Sequence, residues 1–509
     1  MAMRGIYSSV TEIRRKVFTE VARLAYEDGD YRQRMEMIPY KICPGEVATY
    51  RDSIFLERAI VEERLRLAMG MPLRQVSENT PCHTGIEESV IAEKYYDPPL
   101  INIISFACNA CETVHYHVTD MCQGCLANPC KRVCPRGAIS IQHGKSVIDQ
   151  SKCIKCGRCS EVCPYHAIQK FERPCAKACG MDAIGSDEHG RAKIDYEKCV
   201  SCGMCLVSCP FGAIADKGQI FQLIYAMKTG KKVIAIIAPA FLGQFGAKVT
   251  PEKITWALKQ LGFSAVAEVA VGADLCTIEE AKDFMREVPE HQPFMATSCC
   301  PSWAMMAKKL FPELAPYISM ALTPMVLTAR LQKKEHPDSL IAFIGPCAAK
   351  KLEASRRTIR SNVDFVLTFE EVMGMFAAKD IDLANIPDDC CEPLNEGTAA
   401  GRSFAVSGGV ANSVVDVIKK LDPEREVKVI SAQGLQECKK LLTLAKAGKY
   451  DGYLLEGMGC PGGCVAGAGT LQPVAKSTAL VNKYKNEADK KNALDSRYEI
   501  NLSFISENH

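Results

Sequence analysis

Two uninterrupted runs of the form CxxCxxCxxxCP constrain this chain more than any other feature: Cys153, Cys156, Cys159 and Cys163-Pro164, then Cys199, Cys202, Cys205 and Cys209-Pro210. Cys122, Cys125, Cys130 and Cys134-Pro135 repeat the form with a two-residue insertion, which a surface loop can absorb. Of 27 cysteines, sixteen fall between Cys108 and Cys209 and eleven are spread over the rest. The N-terminal stretch MAMRGIYSSVTEIRRKVF lacks the basic, apolar and small-residue order of a secretory leader, and it lacks a twin-arginine signal. A cytoplasmic address is therefore expected, where thiol buffers oppose disulfides and clustered cysteines read as metal ligands. A short unit also recurs, as CPRGAI at Cys134, CPYHAI at Cys163, CGMDAI at Cys179 and CPFGAI at Cys209, which marks duplication.

These runs resemble those of bacterial ferredoxins, in which three close cysteines grip one cubane and the fourth reaches across to a second. Crossed ligation then implies one cluster on Cys122, Cys125, Cys130 and Cys163, and a partner on Cys153, Cys156, Cys159 and Cys134. The second unit has Cys175 and Cys179 but no CxxC just before them; the available CxxC lies upstream, at Cys108 and Cys111. The first ferredoxin unit is thus read as inserted inside the second. Cys108, Cys111, Cys175 and Cys209 would hold one cluster, and Cys199, Cys202, Cys205 and Cys179 the other, so that sixteen cysteines make four accessory 4Fe-4S clusters. Two plainer readings stay open: the quartet at Cys108 is the remnant of a degenerate repeat, or His115 or His117 replaces one thiolate. A structural zinc is a further user of CxxC pairs.

At 509 residues the chain exceeds one hydrophobic core, and three parts are expected: a helical segment over 1–103, a ferredoxin-like part over 104–218 and a third part over 219–509. The first carries helix-period patterns such as VTEIRRKVFTEVARLAY, with Cys43 and Cys82 as structural thiols and no evident chemistry. With 62 basic against 60 acidic residues there is no footprint for nucleic acid or an anionic membrane. No run reaches the roughly 18 apolar residues of a membrane span.

After about residue 220 strands and helices alternate, as in KKVIAIIAPAF, PEKITWALKQLGF, DSLIAFIGPCAAK and EVKVISAQGL, which implies α/β layering with buried parallel strands. Neither GxGxxG after an early strand nor GxxxxGK[ST] is present, so neither a dinucleotide nor a nucleoside triphosphate is expected to bind, and electrons must come from a partner. Three cysteine segments, TSCCPSW at 297–303, PCAAKKLE at 346–353 and EGMGCPGGC at 456–464, stand where strands end.

These three segments resemble, in order and spacing, the signature loops of iron-only (di-iron) hydrogenases. The resemblance implies an α/β catalytic domain of that type, preceded by α+β ferredoxin-like dicluster units and a helical N-terminal segment. It implies reversible conversion of protons and electrons to H2 at an H-cluster: a 4Fe-4S cubane joined through one thiolate to a two-iron site with carbonyl, cyanide and azadithiolate. Carried over, Cys300, Cys347, Cys460 and Cys464 hold the cubane, with Cys464 as the bridge. Cys299 maps to the thiol that exchanges protons with the azadithiolate amine, Lys350 to the lysine on one cyanide, and Pro239 to a residue beside the other. Met458 is retained and packs beside the two-iron site. The proton chain runs from Cys299 through Glu280 and Ser319 to an outer carboxylate at Asp283, with Glu279 in place of Glu280 if the register slips by one.

The sequence departs from the family's pattern at Gly345 and Met325, where methionine and glutamine are usual, and in VAGAGTLQP of the third loop, which puts rate, bias and oxygen tolerance in doubt. The implied partner is a soluble ferredoxin. The rival class is a hydrogenase-like protein without a two-iron site, as in cluster assembly and prelamin-binding relatives, and a hydrogen sensor is a third reading. The cluster-assembly and prelamin-binding relatives need neither Cys299 nor Lys350, and a sensor would usually add a sensory or kinase-linked module. Cys276, Cys390, Cys391 and Cys438 carry no signature and read as structural thiols, and 480–509 reads as a short charged tail.

Overall fold

Residues 8–94, 96–356, 361–388 and 394–499 are described by the computed structural model. The segment VIAII at Val233–Ile237 has a side chain to bury on each face, and it forms a fully buried strand. Leu340–Gly345 pairs with it in parallel, Leu340 opposite Val233, and the strands Ala265–Glu268 and Phe365–Thr368 complete a four-stranded sheet on either side. Every pairing is parallel, as expected of continuous apolar runs that bury both faces. A second parallel sheet holds Tyr453–Met458 between Met295–Ala296 and Lys428–Gln433. The long helix Ala270–Glu287 packs against Pro324–Glu335 and Gly409–Leu421 to cover these layers.

The nested arrangement is visible in the strand pairing. Ile101–Ile103 pairs antiparallel with Ile214–Asp216 and closes an outer unit, whose hairpin is Ile184–Ser186 with Ala192–Ile194. Inside it, His115–Val118 pairs antiparallel with Ile168–Phe171 and closes a second unit with its own hairpin, Ile139–Gln142 with Lys145–Ile148. Each unit thus has one closing pair and one hairpin, and the inner chain segment is spliced into the outer.

The N-terminal helices Ser9–Tyr26, Tyr31–Ile42 and Ile54–Ala68 start at Ser8, Asp30 and Ser53, whose side chains accept from backbone N–H groups of the first turn. They are helical as expected, but they do not pack by themselves. Val17, Val21 and Leu24 share a core with Phe221, Phe365 and Val372 of the α/β layer, because an amphipathic helix needs an apolar partner. The C-terminal stretch is likewise more than a charged tail: Val481 and Tyr484 of the helix Val474–Glu487 are buried in that same core. Among the described residues no helix is long and apolar enough to cross a membrane. Cys43, Cys82, Cys276 and Cys438 are buried, and Cys390 and Cys391 lie outside the described residues.

A buried ammonium helps tie the ferredoxin-like part to the α/β layer. Lys351 Nζ donates to Asp216 Oδ2 at 2.7 Å, to Glu371 Oε1 at 2.9 Å and to the Lys217 carbonyl at 2.9 Å, with its side chain 2 % exposed. Removing one partner of such a group strands the buried opposite charges, which typically costs about 3–5 kcal/mol. Lys351→Met is therefore expected to destabilise the fold by about 3 kcal/mol, seen as a urea unfolding midpoint well below that of the parent; an unchanged midpoint contradicts this role.

Candidate active site

The three cysteine loops and a proline loop leave the carboxyl ends of parallel strands, the usual ligand end of an open α/β sheet. Ala238-Pro239 follows Val233–Ile237, Thr297 to Cys300 follows Met295–Ala296, Pro346-Cys347 follows Leu340–Gly345, and Gly459 to Cys464 follows Tyr453–Met458. Together they line one cavity of about 90 Å³ that contains Cys299, Cys300, Cys347, Cys460, Cys464, Lys350, Pro239 and Met458. Its other walls are apolar, from Ala238, Val269, Ala273, Met325, Phe343 and Phe404 among others, and Lys350 is the one ionised lysine, arginine or carboxylate side chain lining it among the described residues.

Lys350 stands on the helix Ala349–Ser355 directly after Cys347. Its Nζ is held at 2.6 Å from Glu353 Oε2 and 3.4 Å from the Cys299 carbonyl. Burial alone would lower its pKa, and the Glu353 carboxylate keeps the group above the ordinary value, so the ammonium stays charged in the cavity wall. Burial pushes the Cys347 thiol up to about 11 and the Cys464 thiol up to about 12. Neither is a thiolate at neutral pH unless a cation displaces the proton, which is what ligation does. The Gly459 N–H donates to Cys300 Sγ at 3.3 Å, a bond that supports negative charge on that sulfur.

Behind Cys299 lies a buried carboxyl. Glu280, on the helix Ala270–Glu287, is fully buried; its Oε1 accepts from Ser298 N at 2.9 Å and Ser298 Oγ at 3.3 Å, while its Oε2 has no hydrogen-bond partner among the described residues. Burial raises Glu280 to about 7, and burial with the Glu280 charge pushes the Cys299 thiol well above its ordinary value. Glu279 is only partly buried and, among the described residues, is not bonded to Ser298, and burial raises it likewise to about 7. Asp283 lies one turn further along and pairs with Arg286 at 2.6 Å, near the surface.

Gly345 has a local explanation. The Phe343 ring folds over it, with Cε1 2.4 Å from where a Cβ would stand, so the bulk expected from a side chain at 345 comes from Phe343, which lines the cavity. Met325 also lines the cavity. The sequence reading missed Phe404 and Ala405, which follow the helix Ala399–Ser403 with no surrounding signature. It also missed Glu456, which accepts from Gly408 N at 2.6 Å and Ala411 N at 2.8 Å and so fixes the loop that follows them. Glu353 had a legible signal, its i,i+3 spacing from Lys350.

Cys108, Cys111, Cys175 and Cys209 line one small cavity. His115 is turned away to Glu112 at 2.9 Å and stacks on Phe171. Arg173, 3 % exposed, closes that cavity and donates only to the carbonyls of Cys111, Gly185 and Gly190, so its charge has no carboxylate beside it. The recurring alanine has a purpose too: Ala138, Ala167 and Ala183 each donate a backbone N–H to Sγ of the cysteine four residues earlier, at 3.3, 3.3 and 3.4 Å. Gly203, between Cys202 and Cys205, packs so closely on the catalytic loops that a Cβ there would stand 2.6 Å from Ala468 and 3.2 Å from Ala348.

The donor set fits an iron–sulfur site with an attached anionic group: soft thiolates for iron and one ammonium for an anion in an apolar pocket. Comparison with known proteins agrees. The profile of the iron only hydrogenase large subunit, C-terminal domain, matches residues 231–468, and that of the 4Fe-4S binding domain matches 146–169 and 192–215. Iron hydrogenase 1 of Clostridium pasteurianum is 28 % identical over 77 % of this chain and 78 % of that protein. The nuclear prelamin A recognition factor of Xenopus laevis is 25 % identical over 48 % of this chain and 65 % of that protein. The periplasmic [Fe] hydrogenase large subunit of Nitratidesulfovibrio vulgaris is 33 % identical over 64 % of this chain and 86 % of its own length. With that identity and coverage, and with the matched profile spanning all three cysteine loops, the chain belongs to the iron-only hydrogenase family of iron–sulfur proteins.

Proposed function

We propose that the chain is an iron-only hydrogenase that interconverts 2 H+ and 2 electrons with H2 at an H-cluster. The observation that carries the proposal is that Cys299 and Lys350, which a cubane quartet does not need, line the same cavity as the four cubane cysteines. A protein that held only a cubane would have no use for an unligated thiol and a buried ammonium there. When bound, the H-cluster supplies the iron chemistry that makes or splits H2.

Each side chain then has a task. Cys300, Cys347, Cys460 and Cys464 hold the cubane, Cys464 bridging to the two-iron site. Lys350, kept charged by Glu353, donates to a cyanide nitrogen, and Pro239 and Met458 pack against the group and exclude water. With the group bound, the Cys299 thiol would carry a proton to or from it, and Glu280 would exchange that proton with Cys299. Ser319 would pass it outward, and Asp283 meets solvent. A Glu280 pKa of about 7 suits a group that must take and release a proton near neutral pH.

Four accessory 4Fe-4S clusters bring or remove electrons, in the nested pairing set out above. The quartet of Cys179, Cys199, Cys202 and Cys205 is the entry to the H-cluster, supported by the contact of Gly203 with Ala348 and Ala468 on the catalytic loops. The buried Arg173 charge favours the reduced state of the cluster on Cys108, Cys111, Cys175 and Cys209. A cytoplasmic setting and a soluble ferredoxin as redox partner complete the proposal. The 25 % identity to the cytosolic Fe-S cluster assembly factor narfl of Danio rerio over 45 % of this chain favours a cluster-assembly role without H2 chemistry as the second reading, and the pairing of Cys299 with Lys350 weighs against it.

Two variants test these roles. Cys299→Ser replaces a thiol by a far weaker acid and leaves the quartet intact, so H2 evolution from a chemical reductant should fall by about 100-fold or more while iron content holds. Full activity in Cys299→Ser contradicts the relay, and an inactive parent protein with its two-iron site loaded favours sensing or assembly. Cys108→Ala should lower the accessory complement from four clusters to three by iron and sulfide analysis; an unchanged count contradicts the nested quartet.

A further inference from the structure

The two regular cysteine runs are copies of one another, and their surroundings differ in an informative way. In the copy at Cys199 to Cys209, Val200, Met204, Leu206 and Val207 are 2, 9, 6 and 8 % exposed. Val200 packs in a core with Trp303 and Leu435, and Leu206 and Val207 pack with Ala348 and Ala468, all from the catalytic half. In the copy at Cys153 to Cys163, the equivalent positions are Ile154, Arg158, Ser160 and Glu161. Ile154 is 54 % exposed and Arg158 lies in solvent. The face that meets the catalytic domain in one copy is open in the other.

The inserted unit that carries this open face is basic and exposes apolar side chains. Between His115 and Phe171 the chain has eight Lys and Arg against three Asp and Glu, leaving 54 against 57 for the remainder. Lys145, Lys152 and Lys170 meet Asp120, Asp149 and Glu172, whereas Lys131, Arg132, Arg136, Lys155 and Arg158 are exposed with no acidic partner in reach among the described residues. The helix Pro129–Val133, which carries Lys131 and Arg132, packs against the helix Arg158–Glu161. Met121 and Leu126 flank Cys122 and Cys125 and are 56 and 99 % exposed. Exposed apolar side chains set among unpaired like charges mark a surface that another protein covers.

Building on the electron-transfer reading above, we propose that the inserted unit around Lys131, Arg132, Ile154 and Arg158 is the docking face for a small acidic iron–sulfur carrier protein. The carrier sits on this copy as the catalytic domain sits on the other, and its negative face meets the unpaired cations. One electron passes from the reduced carrier, which is oxidised by one electron, to the nearer inserted cluster, which is reduced by one; no proton or group moves. A small, charged and apolar patch suits a transient redox encounter, whose interfaces fall below about 1,200 Å². Association steered by charge is fast at low salt and slows as screening sets in.

The test uses the full chain with its accessory clusters loaded and a reduced, net-negative two-cubane ferredoxin, mixed anaerobically while cluster absorbance is followed. The bimolecular rate should fall as ionic strength rises from about 0.01 M to about 0.15 M. The double variant Arg132→Glu, Arg158→Glu should cut the low-salt rate by about tenfold or more, with reduction by methyl viologen radical unchanged. A ferredoxin rate indifferent to salt and to the double variant, or a variant slowed equally with viologen, overturns the proposal. Because accessory clusters and not H2 are observed, the outcome is separate from whether the two-iron site is present.

Discussion

Buried thiolates need a cation, and most of this molecule is arranged around that requirement. Burial raises the thiols of Cys347 and Cys464 to about 11 and about 12 and pushes Cys205 well above the ordinary value, so that anionic sulfur at these positions depends on bound iron. The fold meets the need by setting short loops at the ends of parallel strands, where backbone N–H groups and glycines allow sulfur and its ligand close approach. Gly459 N–H on Cys300 Sγ and the alanine N–H groups on Cys134, Cys163 and Cys179 are the same device at different scales. Metal binding and folding are therefore one process in these loops.

The opposite charge is placed as sparingly as the thiols are gathered. Lys350 is the ammonium of the catalytic cavity, kept ionised by Glu353, while the next residue, Lys351, faces the other way to join Asp216 and Glu371. Adjacent lysines on one short helix thus serve the cavity and the seam between the accessory and catalytic parts. That pairing couples the position of the second loop to the accessory part through a single turn of helix. Arg173 repeats the logic at the outer quartet, where a guanidinium satisfied only by carbonyls lies against four thiols.

Much of this was legible because metal ligation is written in spacing. The CxxCxxCxxxCP runs, the leftover CxxC at Cys108 and Cys111 and the four repeats imply a spliced pair of units, and the strand pairings at 101–103 with 214–216 and 115–118 with 168–171 have that topology. The apolar runs at 233–237 and 340–345 likewise forecast buried parallel strands. What escaped was set by contacts remote in sequence. Nothing in VTEIRRKVFTEVARLAY names Phe365 and Val372 as its neighbours, and nothing around Phe404 marks it as a cavity wall. The different surroundings of Glu279 and Glu280 depend on the helix phase, which the bond from Ser298 to Glu280 reflects. Gly345 reads as a loss of bulk in sequence, and Phe343 restores that bulk in space.

The central claim is that this cavity receives a two-iron group with cyanide and carbonyl ligands beside the cubane, anchored by Cys464 and Lys350. Infrared spectroscopy of the anaerobically matured chain tests it most directly, because those ligands absorb where protein does not. Intense cyanide and carbonyl stretching bands in the parent, absent from Cys464→Ala and weakened in Lys350→Met, are the expected result. A matured parent with its cubanes loaded and no such bands contradicts the account.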